Sequence, residues 1–324
     1  MQKANECSYL GDVLSTSGSI NATIELRRQK GVGVCSQITG IVNGLSLGNH
    51  YFRIGFFLRV AMLINGILTN TEVWYPVKDS QIEVLENIDL MLLKKLTNGH
   101  SKTAKEAFYL ETGSLPLKYI CMKRRLMYLH TILKRSETEI TRKVYNVQKM
   151  IRTKGDWFGL VIQNREELMM SHTDEEISNM SKDRFRILVN SLVEKRALAQ
   201  LNSIAMGHSK SVDLMKIRLK REPYFEDPKL SKSEVELLFA LRTRTVRNIK
   251  KNFPNQTNNS NMACQVCFLH VDCQQHLMVC SELRKVVNIP TDVNYSDIFN
   301  SSEKQIKIVK VMKQLLQLLQ LLLQ

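Results

Sequence analysis

Apolar residues return every three or four positions along most of this chain, and strand-like alternation is confined to its start. Cys7 to Ile20 reads as a short hydrophobic strand running into a Ser/Gly turn. No partner strand stands out nearby, and a lone hairpin is marginal in water, so this segment is expected to be the last edge of a larger sheet. From Asn21 the pattern turns helical. Asn21 to Lys30 is charged and helix-prone, and Gly31, Gly33 and Gly40 weaken the segment after it.

Tyr51 to Trp74 predicts a mostly buried helix. Asp79 to Leu96 predicts another, with Ile82, Leu85, Ile88, Leu92 and Leu96 on one face. Its acids lie early and Lys94 and Lys95 late, as the helix dipole favours, and Asn98-Gly99 ends it. A short helix over Ala104 to Leu110 leads to a turn at Glu111 to Pro116. Leu117 to Arg135 then carries an apolar stripe of Met122, Leu126, Leu129 and Leu133. Arg124, Tyr128, Thr131 and Arg135 share the opposite face, flanked by Lys123 and Arg125. That face is either ordinary solvated surface or a phosphate-tracking surface with an aromatic available for stacking.

Glu139 to Met150 is again helical, and Trp157 reads as a core anchor. Thr173 to Glu176 forms a capping box, and Ser181 caps a helix reaching about Ala205. Pro223 and Pro228 bracket a loop. A box at Ser233 to Glu236 then opens a helix that runs on into Arg242 to Lys251, a stretch rich in cations and free of acids. Arg242, Arg244, Arg247, Lys250 and Lys251 are candidate phosphate contacts there, or simply cations placed favourably at a helix C-terminus. Asn255 to Asn261 reads as a loop. The Leu/Gln-rich tail, Gln305 to Gln324, would as a helix be apolar all round, so it must be buried, self-associate or aggregate.

The fold class expected is mainly α: a multi-helix bundle with a short N-terminal β segment and a small C-terminal module. The 324 residues suffice for a substantial core, with 44% hydrophobic and 24% charged residues. Charge adds a direction. Lys and Arg outnumber Asp and Glu by 46 to 31, a net +15, which favours polyanions and above all nucleic acid. The start has no apolar leader, and Phe56 to Leu68 is too short for a membrane span, so an intracellular protein, nuclear or cytoplasmic, is expected.

Candidate chemistry is concentrated in one place. Four of the seven cysteines and two of the seven histidines fall between Cys264 and Cys280. Cys264, Cys267, His276 and Cys280 have the spacing of a closed tetrahedral zinc site with three thiolates and one imidazole. His270 and Cys273 lie between them and leave one ligand open to exchange; a cluster of reduced cysteines without metal is the alternative. No acid is placed to act on a metal-bound water, and the Gly-x-x-x-x-Gly-Lys-Ser/Thr, Gly-x-Ser-x-Gly and His-Glu-x-x-His motifs are missing. No two aspartates are adjacent, and no catalytic residue is assigned.

The run Tyr9-Leu-Gly-Asp-Val-Leu-Ser-Thr-Ser-Gly-Ser-Ile20 resembles the segment closing the palm of LINE-type non-LTR retrotransposon reverse transcriptases. The resemblance continues through Leu58-Arg59, Asn65-Gly-Ile-Leu68, Glu72-Val-Trp74, the His100 to Gly113 run and Lys123-Arg-Arg125. It extends to Lys154-Gly-Asp-Trp157, Leu238 to Thr243 and the closing Cys/His spacing. It implies the end of a palm over 1–30, a helical thumb over 31–135, a helical connector over 136–252, a zinc-knuckle-like module over 253–290 and a tail over 291–324. The expected function is then a non-catalytic fragment gripping RNA, DNA or their hybrid. The alternatives are a degenerate or co-opted helical protein-interaction protein, associating through its tail, and a truncated piece of an active RNA-directed DNA polymerase whose palm aspartates lie elsewhere.

Overall fold

The computed structural model describes residues 6–9, 12–45, 47–151, 155–208, 211–246, 263–264, 266–270, 273–290 and 292–322. It is mainly helical, with one two-stranded sheet near the N-terminus. The expected lone edge strand is in fact a pair. Strands β1 (Glu6–Tyr9) and β2 (Asp12–Ser15) run antiparallel, Cys7 opposite Leu14. Asp12 pins the pair to the helices, accepting from Arg27 at 2.8 Å and from Asn70 at 3.0 Å.

Helix α1 (Asn21–Gly44) passes unbroken through all three glycines that were expected to thin it. Gly31 is there for contact, since a Cβ at that position would lie 2.9 Å from Ile67 Cγ2 and 3.2 Å from Ile88 Cγ2. The predicted helix over Tyr51 to Trp74 ends early. It comprises α2 (Tyr51–Leu58), a π-helical turn (Arg59–Ile64) and a last turn α3 (Asn65–Ile67). The π turn aims Arg59 inward, where it donates to both oxygens of Asp89 at 2.6 Å with both side chains buried.

Asp89 belongs to α4 (Asp79–Thr97), whose five predicted core positions are all buried. Asn98 closes it in the left-handed region at φ 49°. After α5 (Lys105–Thr112) comes α6 (Leu117–Leu133), which is buried on more than one side. Its expected stripe of Met122, Leu126, Leu129 and Leu133 is buried, and so are Tyr119, Arg125 and His130. Two apolar clusters meet at this helix. The first gathers α1 to α5 with the C-terminal elements, from Ile24 to Leu319. The second packs α6 against α7 (Ile140–Ile151), α8 (Trp157–Glu167), α9 (Asp174–Asn179) and α10 (Lys182–Met206). Trp157 is only half-buried there: its indole donates to Glu72 O at 2.7 Å and meets Tyr128 edge-on at 5.8 Å.

The Thr173 capping box and the Ser181 cap form as expected. The next box is shifted by two residues, because Ser231 rather than Ser233 caps α11 (Lys232–Arg242), paired with Glu234. Nor does α11 run into the basic stretch. Arg244 adopts φ 52°, its amide donates to Leu241 O at 3.2 Å, and the Thr245 amide reaches Ala240 O at 2.8 Å. That bonding pattern ends a helix, here around an arginine where glycine is usual.

After two short helices, α12 (Gln274–Val279) and α13 (Ser281–Arg284), the tail forms α14 (Ser302–Leu322). Of the outcomes open to the tail, intramolecular burial is the one adopted, with Ile308, Val309, Met312, Leu315 and Leu319 in the first cluster. No helix among the described residues is long and apolar enough to cross a membrane.

Candidate metal centre and basic surface

The metal-binding pattern folds as two short pieces facing each other. Residues from Cys264 fold back tightly: the Cys264 amide donates to His270 O at 2.6 Å and the Phe268 amide to Cys264 O at 3.0 Å, with Phe268 at φ 57°. Backbone amides in this turn point at sulfur, that of Val266 reaching Cys264 Sγ at 3.5 Å. Opposite it, Cys273 caps α12, its thiol accepting from the His276 amide at 3.4 Å. One helical turn then presents His276, and Cys280 follows at the helix end.

The four donor atoms of Cys264, Cys267, His276 and Cys280 all lie within 4.8 Å of one another. Cys267 Sγ and His276 Nε2 are 3.2 Å apart. Thiolates at about 2.3 Å from a central ion would be roughly 3.8 Å from each other, so the cluster could hold a metal ion with modest tightening. Cys264, Cys280 and His276 are buried and Cys267 half-buried. The two alternative ligands fall outside the cluster, since Cys273 is engaged as a helix cap and His270 is exposed.

The sulfurs sit in unlike surroundings. Burial pushes the Cys264 thiol up to about 11. Burial also opposes ionisation of Cys267, but the amides of Leu269 and His270 and the neighbouring thiols outweigh it and lower its pKa. Cys35 and Cys121, far from the cluster in sequence, are raised to about 11 chiefly by burial and behave as core residues.

This module is tied into the main core. The Gln274 amide donates to Leu241 O, at the end of α11, at 2.9 Å. Leu277 and Met278 join the same apolar cluster as α14.

The predicted nucleic-acid contacts fare unevenly. Arg242 is buried, donating to both oxygens of Glu111 at 2.8 and 3.0 Å and to Ile298 O at 2.7 Å, so it braces the core and faces no solvent. Arg125 is likewise buried, bonded to Asn164 at 2.9 Å, with its pKa lowered by desolvation. Arg244 is paired with Asp213, and Arg135 with Glu139 at 3.3 Å and Thr141 at 2.9 Å. Tyr128 packs on Trp157. Arg247, Lys250 and Lys251 lie outside the described residues, as do the expected loop at 255–261 and Lys154.

Lys123 and Arg124 remain. Both line a cavity of about 410 Å³ among the π turn, the α5–α6 turn, α6 and the segment before Pro223. It meets a second cavity of about 750 Å³ between α10 and residues 216–220, Glu194 and Leu219 being common to both. Lys195, Lys216, Arg218 and Lys220 line the second, and sequence periodicity gave no sign of them. For Lys216, Arg218 and Lys220 the signal was the density of cations between Lys216 and Arg221; Lys195 had none.

No family model, curated protein or solved structure matches this chain.

Proposed function

We propose that this chain is a non-catalytic, zinc-stabilised helical protein that binds nucleic acid through phosphate contacts. The observation that carries the proposal is the convergence of Cys264, Cys267, His276 and Cys280 to within 4.8 Å, on a chain of net charge +15. Three thiolates and an imidazole suit zinc, and a full set of protein donors makes a structural site, which stabilises a fold and leaves no position for a substrate. Lysine and arginine contacts to phosphate position a protein without reading bases, so RNA, DNA and hybrid duplexes are all within its range. The residue runs that resemble a reverse-transcriptase thumb and C-terminal region support the same reading.

The test joins metal analysis to binding. The purified chain should carry one zinc, lose it on Cys264→Ser, and bind a short RNA–DNA duplex with affinity that falls steeply as salt rises. A metal-free folded protein, or binding that salt does not change, would overturn it.

A second reading, a protein-interaction role, is favoured by α7. Among its residues only Tyr145 is buried, while Ile140 and Met150 are each 77% exposed and Val144, Val147 and Ile151 are exposed beside them. If Ile140→Ser/Met150→Ser removes a self-association seen in the parent, and neither binds nucleic acid, that reading replaces the first.

A further inference from the structure

The 410 Å³ cavity is built from rigid parts. Arg59 forms part of its wall, held by Asp89, with its third nitrogen donating to Ser114 Oγ at 3.0 Å. Gly113, at φ 63°, lets the opposite segment close in: a Cβ there would lie 2.2 Å from the Arg221 amide nitrogen. The Glu222 amide donates to Glu111 O at 2.9 Å, fixing that approach. Arg221 lies over the Phe56 ring at 4.5 Å and pairs with Glu226 at 2.6 Å.

Within this frame the charges do not balance. Asp89 neutralises Arg59, and Glu226 neutralises Arg221. Arg124 donates to Asn65 at 2.9 Å and to Leu68 O, and meets no carboxylate among the described residues. Lys123 is half-buried and forms neither a hydrogen bond nor an ion pair among the described residues. Glu194 is the one acid lining the cavity, and its charge acts on Lys123 without an ion pair forming between them. Next door, Glu222 holds Lys216 at 2.6 Å, while Lys195, Arg218 and Lys220 form no ion pair among the described residues. For Lys123 desolvation outweighs the attraction of Glu194 and lowers its pKa, so an anion seated beside it would remove a cost.

We infer that this cavity seats one backbone phosphate of a nucleic-acid strand, with Lys123 and Arg124 as its ligands, and that the strand continues along the adjoining trough past Lys195, Arg218 and Lys220. The inference rests on the nucleic-acid reading above and assigns its interface to α6, α10 and residues 216–221 rather than to the basic stretch at the end of α11. The volume accommodates a phosphate with its sugar, and the trough is open enough for a chain to leave the cavity. No base readout is assigned here, because the proposed ligands Lys123, Arg124, Lys195, Arg218 and Lys220 are all cations, which position a strand through its phosphates.

The test uses the full chain and a short RNA–DNA duplex at several salt concentrations. Lys123→Gln should weaken binding several-fold and lower the slope of log affinity against log salt by about 1. Lys195→Gln/Arg218→Gln/Lys220→Gln should lower it by about 2 to 3. Lys134→Gln/Lys143→Gln, two exposed lysines just past the far end of α6 and on α7, should change it less. Acylation of Lys123, read by peptide mass, should be blocked by the duplex and not by millimolar inorganic phosphate. If the parent binds duplex and all variants match it, the trough assignment fails while the nucleic-acid reading stands. If the parent binds no duplex even in dilute salt, both fail. Protection of Lys123 by inorganic phosphate alone would make this a free-phosphate site and overturn the inference.

Discussion

Glu111 shows how a single side chain can organise a charged interior. Its two oxygens accept from Arg242, and one of them also from the Tyr224 hydroxyl at 2.6 Å. Burial by itself would lower the pKa of Arg242, yet the charge and hydrogen bonds of Glu111 raise it. Glu111→Gln would leave the buried guanidinium with Glu222, at 3.3 Å, as its remaining counter-charge, and should cost about 3 kcal/mol of stability in a denaturant melt. Asp174 plays a similar part in the second cluster. It accepts from Tyr145 at 2.7 Å, Lys149 at 2.6 Å and Arg165 at 3.0 Å, joining α7, α8 and the start of α9. Burial opposes its ionisation, but the bonds from Lys149 and Tyr145 and the charges of Lys149 and Arg165 prevail and lower its pKa below 3.8. A carboxylate with a lowered folded pKa stabilises above its unfolded pKa and loses that contribution as pH falls through the folded value. The parent should therefore lose stability on acidification below pH 3.8 more steeply than Asp174→Asn, which should be less stable near neutrality. Parallel curves across that window would show that Asp174 is not the group responsible.

Among the helices, α1 and α14 illustrate opposite ways in which composition misleads. Glycine lowers helix propensity, yet α1 carries Gly31 and Gly33 in mid-helix because its neighbours hold it straight. The two glycines are not equivalent. Gly33 has nothing within 4 Å of an added Cβ, whereas Gly31 faces the branched carbons of Ile67 and Ile88. Gly33→Ala should therefore stabilise by roughly 0.5–1 kcal/mol, and Gly31→Ala should destabilise by about 1 kcal/mol. Thermal melts of the pair would decide, since equal shifts of one sign would deny the close approach of α1 to α3 and α4. In α14 the repeated Leu-Leu-Gln looks like low complexity, but one side of it fills a slot beside α11 and α12. Leu315→Ala should cost about 2–5 kcal/mol as a cavity-forming change, measured by denaturant titration. A change under about 1 kcal/mol would mean that the helix is only loosely seated.

At the scale of the whole molecule, the Cys/His cluster and the C-terminal helix share one core with α1 to α5. Chelation should accordingly lower the melting temperature of the entire first cluster, not just local order around Cys264, and added zinc should restore it. A melt indifferent to chelator would separate the cluster from the fold. The resulting picture is a helical body in which a Cys/His cluster able to hold an ion joins the C-terminal elements, while cations without an ion pair among the described residues gather along α6, α10 and residues 216–220. Much of this was written in local sequence. The periodicity of α4, the Thr173 box and the Cys/His spacing are short-range patterns, in which each residue's neighbours along the chain dictate its geometry. Other features depended on which segments meet. The helix-ending bonds at Arg244 need no glycine because Asp213, distant in sequence, holds the side chain. The interior place of Arg242 and Arg125, and the half-buried place of Lys123, were equally hidden. A run of basic residues reports charge but not whether a carboxylate from another helix will neutralise it, and only packing brought Glu111 to one arginine and left Lys123 without an ion pair among the described residues.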